Sequence, residues 1–233
     1  MIITDSIIST PHAIIAGTTG SGKSVLIHGI INRIITSDSP ARLFLVDPKR
    51  VELREYGELG IVRNYANNST AAKFTVQKLV VIMGQRFAEM ERQWLKKSPA
   101  EPCYLIVDEM ADLLAESPEI EEGIVKLMRL GRAANIHCIL ATQSPNRSKG
   151  GGLSAALCQN CTLAVALRCR SAIESRQIIG ASGAERLPQH GEALVLTPEG
   201  IKRFVVDNVT DDDTAAAIRT ARMRELQVLV SAV

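Results

Sequence analysis

Residues 17–24 have the types and the spacing of a loop that binds the phosphates of a nucleotide. They read Gly-Thr-Thr-Gly-Ser-Gly-Lys-Ser and match the pattern G-x-x-x-x-G-K-[ST] at every fixed position. Glycines let the backbone curl so that successive N–H groups point at phosphate oxygens, and the helix that begins near Ser24 adds its positive end. We expect Lys23 to reach the β- and γ-phosphates of ATP and the Ser24 hydroxyl to bind Mg²⁺. The predicted nucleotide-binding residues are Gly17, Thr18, Thr19, Gly20, Ser21, Gly22, Lys23 and Ser24.

Two carboxylates, Asp108 and Glu109, directly follow an apolar segment that has the composition of a buried strand. A parallel strand delivers its C-terminal residues to the same sheet edge as the phosphate loop. Asp108 is then placed to hold Mg²⁺ through its water shell, and Glu109 is placed to orient and deprotonate an attacking water. Because a kinase has to exclude water, a glutamate beside the Mg²⁺ carboxylate favours hydrolysis, and the sequence predicts an ATPase.

Gln143 is a further candidate catalytic residue, since it directly follows the apolar segment 137–142. A glutamine at this place senses the γ-phosphate or positions water in other hydrolases that have this loop, and the alternative is an amide that caps the next turn. Arg132, then Arg129 and Arg176, are candidates for an arginine that a neighbouring subunit inserts to neutralise charge in the transition state. The alternative for each is an ordinary surface or salt-bridged arginine.

Apolar runs alternate with segments of helical period, which predicts an α/β fold with a mainly parallel sheet flanked by helices and a C-terminal β-hairpin. The predicted strands are 13–16, 43–46, 103–107, 137–142 and 162–167, with the hairpin over 192–196 and 201–206. The predicted helices are 24–35, 70–97, 120–134, 172–179 and 211–230. The apolar stripe of the helix over 70–97 reaches Trp94 and is interpreted as core packing. Since no domain boundary is visible, we expect a single domain over 1–233.

The composition is that of an ordinary globular protein, with 46% apolar and 22% charged residues and a net charge of +2. Such a charge carries no overall signal for nucleic acid, so a prediction of DNA binding rests on local residues. No stretch approaches the roughly 20 apolar residues of a membrane helix and no secretory signal is visible, which predicts a cytoplasmic chain without a membrane segment. The cysteines are odd in number and are interpreted as buried, reduced thiols, although Cys158 and Cys161 have the spacing of metal ligands.

Several segments together resemble the FtsK/SpoIIIE family. They read HAIIAGTTGSGKS over 12–24, VDPK over 46–49, VDEMADL over 107–113, RAANIH over 132–137, SRQI over 175–178 and GAE over 183–185. The resemblance runs from about 11 to 206, ahead of the helix predicted over 211–230, and implies a RecA-like motor domain. It also implies a homo-hexameric ring that pumps double-stranded DNA through its channel, with ATP between subunits, where an arginine from the neighbour has its place.

Three features depart from the family pattern. From the sequence we expect neither the membrane segment and long linker of the family nor its winged-helix module after 206, and Ser144 stands where the family has arginine after Thr-Gln. From these departures we expect a motor that serves a prophage, a plasmid or a conjugative element.

Arg147 and Lys149 lie in the Gly-rich loop 144–152, which can reach the central channel if the chain forms a ring. Two cations on such a loop suit contacts with DNA phosphates without reading of bases, and the alternative is a charged surface loop. The predicted function is an ATP-hydrolysing motor that translocates double-stranded DNA. A protein-export ATPase of the type VII secretion kind and a non-motor ATP-binding regulator are the alternatives.

Overall fold

The computed structural model describes residues 3–145, 152–197 and 199–231, with the side chains of 228, 229 and 231 outside the description. In these ranges the helices are α1 (Ile3–Ser9), α2 (Lys23–Ile35), α3 (Ser69–Arg92), α4 (Met110–Glu116), α5 (Ile120–Leu130), α6 (Ala155–Asn160), α7 (Ala172–Ile179) and α8 (Asp211–Ser231). The strands are β1 (His12–Ala16), β2 (Arg42–Val46), β3 (Val62–Ala66), β4 (Cys103–Val107), β5 (Ile136–Thr142), β6 (Leu163–Ala166), β7 (Glu192–Thr197) and β8 (Gly200–Val205). Short 3₁₀ helices lie at Arg54–Tyr56 and Ala184–Arg186.

The strands form one sheet in the order β3-β2-β4-β5-β1-β6-β7-β8. Neighbouring strands from β3 to β6 are parallel, and β7 and β8 extend the sheet as an antiparallel hairpin. Ala16 pairs with Thr142 and Val46 pairs with Val107, so the segments that follow these strands leave the sheet side by side. We call this side of the sheet, where β1, β2, β4, β5 and β6 end, the C-terminal edge.

Helices cover both faces of the sheet. On one face α1, α2 and α8 enclose apolar side chains of β1, β2, β4 and β5, and on the other face α3, α4, α5 and α6 do the same. Every residue of β1 and β4 is buried, which explains why these strands read as unbroken apolar runs. The loops at the C-terminal edge are therefore attached to strands that are buried on both faces.

The fold class predicted from the sequence is confirmed, with a mainly parallel sheet, flanking helices and a C-terminal hairpin. The predicted strands lie within about two residues of the observed ones, which is the usual uncertainty of element ends. The sequence did not predict β3, α1, α4 or α6. These three helices have only seven, seven and six residues, too few for an apolar period to show.

The prediction that Trp94 packs in the core is wrong. α3 ends at Arg92, the φ of Trp94 is 53°, and its side chain is 94% exposed. The N–H of Leu95 donates to the carbonyl of Met90 (2.9 Å) and closes the end of the helix. The apolar spacing continues past this point, so it could not reveal the left-handed residue that turns the chain away.

The longest described helices, α3 and α8, each have one buried and one exposed side. α8, for example, buries Ala217 and Ala221 and exposes Met223 and Leu226. Among the described helices, none combines the length and the apolar content that crossing a bilayer requires.

Candidate functional site

The phosphate loop follows β1 and is anchored to the strands on both sides of it. The Gly17 N–H donates to the Thr142 carbonyl at the end of β5 (3.2 Å), and the Thr18 N–H donates to the Arg168 carbonyl just after β6 (2.9 Å). The Thr18 hydroxyl donates to the same Arg168 carbonyl (3.2 Å). The loop is thus built on three adjacent buried strands, which hold its backbone in place.

The interior of the loop is shaped for an anion. Gly20 and Gly22 have φ values of 74° and 91°, in the left-handed region that favours glycine, and α2 begins directly after them at Lys23. A Cβ at Gly17 would lie 2.4 Å from Ser21 Oγ, so the close packing there requires glycine. The buried Ser21 Oγ has no hydrogen-bond partner among the described residues. An unsatisfied hydroxyl beside the first turn of a helix fits the oxygens of a phosphate.

Lys23 and Asp108 form a buried ion pair below the loop. Lys23 Nζ lies 2.5 Å from Asp108 Oδ1 and 2.9 Å from the Asp108 carbonyl oxygen, and the two side chains are 4% and 2% exposed. The structure thus brings together two residues that the sequence assigned to the same site. Both described contacts of the ammonium group are with Asp108, so a phosphate that binds Lys23 would compete with this carboxylate.

Ser24 and Asp108 are the side chains suited to Mg²⁺. Ser24 is half-buried in the first turn of α2, and Asp108 is buried at the end of β4. Mg²⁺ usually takes one or two protein oxygens together with substrate phosphates and water, so it does not need a full set of protein ligands. The described part of the chain holds no group of three His, Cys, Asp or Glu residues that could bind a metal alone, and the oxygens of Ser24 and Asp108 are of the kind that Mg²⁺ takes together with phosphates.

Glu109 is buried, with 2% of its surface exposed, and both of its carboxylate oxygens accept hydrogen bonds. Oε1 accepts from the Thr142 hydroxyl (2.8 Å) and from the Gln143 N–H (3.1 Å). Oε2 accepts from the same Gln143 N–H (3.2 Å) and from Lys49 Nζ (3.4 Å). The carboxylate is therefore held in one orientation by the end of the neighbouring strand β5 and by Lys49.

Gln143 connects Glu109 to the phosphate loop. Its backbone N–H binds Glu109, and its side-chain Oε1 accepts a hydrogen bond from the Thr19 hydroxyl (2.8 Å). The next turn is capped by Thr142 instead, whose hydroxyl accepts the Ser144 N–H (3.1 Å). The Gln143 side chain thus lies at the phosphate loop, where it can respond to what the loop binds.

Lys49 was not singled out as a functional residue from the sequence, although it lies in the VDPK segment. Asp47, which follows β2 and is fully buried, accepts the N–H groups of Arg50 (2.9 Å) and Leu53 (3.0 Å) and shapes the turn. This turn places Lys49 Nζ 3.4 Å from Glu109 Oε2 and 3.4 Å from Asp112 Oδ2. β2 is parallel to β4 and pairs with it, so the polar residues that follow β2 reach the same edge of the sheet as Asp108. This signal in the sequence could have identified Lys49.

The three candidate arginines are all exposed, and among the described residues none forms an ion pair within 4.0 Å of a carboxylate. Arg129 lies near the end of α5 and Arg132 in the turn before β5, which is the sheet edge opposite to the phosphate loop. Backbone hydrogen bonds from Gly183 and Glu185 are the main reason that the pKa of the Glu185 carboxyl lies below its ordinary value. Arg176, in α7, is close enough to this carboxyl to contribute to the same shift. The structure therefore places Arg129 and Arg132 away from the phosphate loop of their own chain.

Arg147 and Lys149, the residues predicted to contact DNA, lie outside the described residues. The five cysteines, all within the described ranges, form no disulfide: three are buried, and Cys158 and Cys161 are half-buried. Cys161 Sγ donates to the Leu163 carbonyl (2.9 Å), and burial raises the pKa of this thiol to about 12. A protonated thiol bound to a carbonyl is a poor metal ligand.

A parallel sheet that carries a phosphate loop after β1 and two carboxylates after β4 defines the P-loop NTPase class. The model of the FtsK/SpoIIIE family matches residues 1–98 and 64–147 of this chain. The chain belongs to the FtsK/SpoIIIE family.

Similar proteins agree with this assignment. A DNA translocase FtsK of Corynebacterium efficiens is 33% identical in an alignment of 249 positions, which covers 94% of this chain and 26% of that protein. The chain thus spans about a quarter of the length of this relative.

Two solved structures share its fold. One is the monomer form of the pCW3 conjugation coupling protein TcpA with ATPγS (TM-score 0.81, 21% identity, 92% of this chain and 65% of that one). The other is the cytoplasmic domain of the type VII secretion ATPase EccC of Thermomonospora curvata (TM-score 0.78, 24% identity, 91% and 28%). Both likenesses identify the RecA-like architecture of the chain.

Proposed function

We propose that this chain hydrolyses ATP and uses the free energy to move double-stranded DNA through an oligomeric ring. The observation that carries the proposal is the setting of Glu109. It is a buried carboxylate that only strand β5 separates from the strand of the phosphate loop. It lies next to Asp108, the proposed Mg²⁺ ligand, and it is oriented by Thr142 and Gln143. DNA as the cargo is supported by membership of the FtsK/SpoIIIE family and by the DNA translocases that the chain resembles.

In the proposed reaction the oxygen of a water attacks the γ-phosphorus of ATP. The bond from this phosphorus to the β,γ-bridging oxygen breaks, Glu109 accepts the proton of the water, and ADP and inorganic phosphate are released. The N–H groups of the phosphate loop and Lys23 hold the phosphate oxygens, and Lys23 leaves Asp108 to do so. Mg²⁺, held by Ser24 and Asp108 when bound, would neutralise charge on the phosphates. Gln143, tied to Thr19, is placed to sense the γ-phosphate.

The ring and its DNA contacts are part of the proposal. Arg132 is our first candidate for an arginine inserted at the nucleotide of a neighbouring subunit, ahead of Arg129 and Arg176. Its exposure and its distance from the phosphate loop of its own chain suit this role. Arg147 and Lys149 are proposed to contact DNA phosphates, and Arg147→Ala with Lys149→Ala should remove stimulation by DNA while basal hydrolysis continues.

The experiment that tests the proposal is Mg²⁺-dependent release of phosphate from ATP, with and without long duplex DNA. We expect duplex DNA to raise the rate, and single-stranded DNA of equal length to raise it less. Lys23→Ala should abolish nucleotide binding and hydrolysis together, whereas Glu109→Gln should bind a fluorescent ATP analogue normally and fail to hydrolyse ATP. Hydrolysis that persists in Glu109→Gln would contradict the assignment of the general base.

A protein-export ATPase is the second candidate, because EccC shares the fold over 91% of this chain. An ATPase rate that duplex DNA leaves unchanged over a range of salt concentrations would favour export over DNA movement. A non-motor regulator is distinguished by wild-type hydrolysis no faster than that of Glu109→Gln. A role for a prophage, plasmid or conjugative element belongs to the same proposal, and the conjugation coupling protein that shares the fold exemplifies such a use.

A further inference from the structure

Both carboxylate oxygens of Glu109 are occupied by hydrogen-bond donors in the structure. A carboxylate oxygen offers two lone pairs to hydrogen-bond donors. Oε1 is approached by the Thr142 hydroxyl and the Gln143 N–H, and Oε2 by the same N–H and by Lys49 Nζ. A general base needs an open lone pair for the water whose proton it takes. The Gln143 N–H is shared between the two oxygens, so Lys49 is the one donor among the described residues that binds Oε2 alone, and it competes with water for this oxygen.

Lys49 is the donor that can leave most easily. Its contact with Glu109 is the longest of the set at 3.4 Å, and its side chain is 40% exposed. Thr142 is a fully buried residue at the end of β5, and Gln143 binds through its backbone, so neither can move without moving the strand end. Loss of the Lys49 contact frees Oε2, while Thr142 and Gln143 continue to orient the carboxylate.

Asp112 offers Lys49 a second position. Its Oδ2 lies 3.4 Å from Lys49 Nζ, the same distance as Glu109 Oε2, and its side chain is 51% exposed. Desolvation works against the charged form, yet the carboxylates of Glu109 and Asp112 hold the pKa of Lys49 above its ordinary value. Lys49 therefore remains a cation shared between two acceptors, one buried and catalytic, the other at the surface in α4.

We propose that Lys49 is a positioning residue that blocks Oε2 of Glu109 and releases it by moving to Asp112, so that the position of Lys49 sets the turnover rate. The inference rests on the proposed role of Glu109 in ATP hydrolysis. Lys49 does not touch the reacting atoms, and its effect is on the availability of the base. The turn that Asp47 shapes, and not a flexible segment, presents it to both carboxylates.

The test compares Lys49→Met, Asp112→Asn and the double variant by steady-state ATPase and by binding of a fluorescent ATP analogue. An ion pair with this exposure corresponds to a change of about two- to fivefold. Asp112→Asn removes the second acceptor and should lower kcat by about two- to fivefold, whereas Lys49→Met should raise basal kcat by a similar factor. The KM and the affinity for the analogue should stay at wild-type values, because neither residue contacts the phosphate loop.

The double variant separates this inference from a structural role. Asp112→Asn is expected to act only by removing the second acceptor of Lys49. In a protein without Lys49 it should have no effect, so the double variant should have the kcat of Lys49→Met. The inference is overturned if the change in kcat of the double variant equals the product of the changes in the two single variants. It is also overturned if Lys49→Met binds nucleotide normally and has a lower or unchanged kcat.

Thermal unfolding midpoints close to wild type will show that the variants are folded. Failure of the proposed function looks different. Wild type without ATPase activity, or full activity in Glu109→Gln, removes the basis of both proposals. An inactive Glu109→Gln together with silent Lys49 and Asp112 variants removes this inference alone.

Discussion

His12, the first residue of β1, is predicted to lower the stability of the fold on mild acidification. It is 2% exposed, its Nδ1 accepts the Cys138 N–H (3.2 Å), and its Nε2 has no partner among the described residues. Burial, with a smaller effect of the nearby His137, lowers the pKa of His12 to about 4. A protonated ring would be a buried charge and would turn an N–H toward the N–H of Cys138, so acid favours the unfolded chain.

The magnitude follows from the two pKa values, 6.5 in the unfolded chain and about 4 in the fold. Between them the unfolded state binds more protons, so the free energy of unfolding falls as the pH falls through this window, and above the window the contribution is complete. Linkage gives a loss of about 2 kcal/mol between pH 7.5 and pH 5.0, and of about 3 kcal/mol once the pH is below 4. Since domains are stable by only about 5–15 kcal/mol, the effect is easily measured.

Urea unfolding followed by circular dichroism at pH 7.5 and pH 5.0 tests this for wild type and His12→Asn. Asparagine keeps an acceptor for the Cys138 N–H and does not titrate. The variant should be the less stable protein at pH 7.5, because its smaller side chain leaves space in the core. It should nevertheless lose about 2 kcal/mol less than wild type on acidification. Equal losses in the two proteins would refute the assignment, since all other titrating groups are common to both.

Three further changes test contacts of the site and of the fold. Thr142→Val should lower kcat about tenfold in single-turnover hydrolysis, with Thr142→Ser near wild type, because one hydrogen bond to the Glu109 carboxylate is worth about 1.5 kcal/mol or more. Arg86→Met should lower the free energy of unfolding by about 3 kcal/mol in urea, with Arg86→Lys losing less, because the buried guanidinium serves three backbone carbonyls. Tyr56→Phe should cost about 1–2 kcal/mol by the same measurement, because its fully buried hydroxyl bonds two side chains of α2.

The sequence predicted the central strands and the hairpin well but missed the edge strand β3, and the miss has a physical reason. β1 and β4 are buried on both faces and read as unbroken apolar runs, whereas β3 is the edge strand next to β2 and carries Arg63 and Asn64. The Asn64 side chain donates to Thr75 Oγ1 in α3 (2.5 Å), so this strand is stabilised by a polar contact that no apolar pattern can reveal. The left-handed turn at Trp94 escaped for the same reason, since apolar spacing reports burial only while the helix continues.

The sequence predicted the site residues that a single segment contains. It did not predict the contact that depends on two strands being neighbours in the sheet. The sequence singled out Lys23, Asp108 and Glu109 in two separate segments. The structure brings these residues together, as expected for segments that follow parallel strands of one sheet. The bond between Lys49 and Glu109 joins residues 60 positions apart, and it depends on β2 lying beside β4. The order of strands in a sheet is not encoded in any local pattern, so the partners of Glu109 became visible only with the fold.

Two paths of contacts join the phosphate loop to the pair of carboxylates after β4. Lys23 binds Asp108 directly, and Thr19 reaches Glu109 through the side chain and the backbone of Gln143. Because Asp108 and Glu109 are consecutive residues on one buried strand end, the phosphate binding that we propose at Lys23 would also act on the peptide that the second path holds. The strands below the site are buried, so we expect a displacement of this peptide to be taken up by side-chain contacts. The contacts that can change are those whose donor has a second acceptor within reach. Among the donors to Glu109, the one with a second acceptor in reach is Lys49.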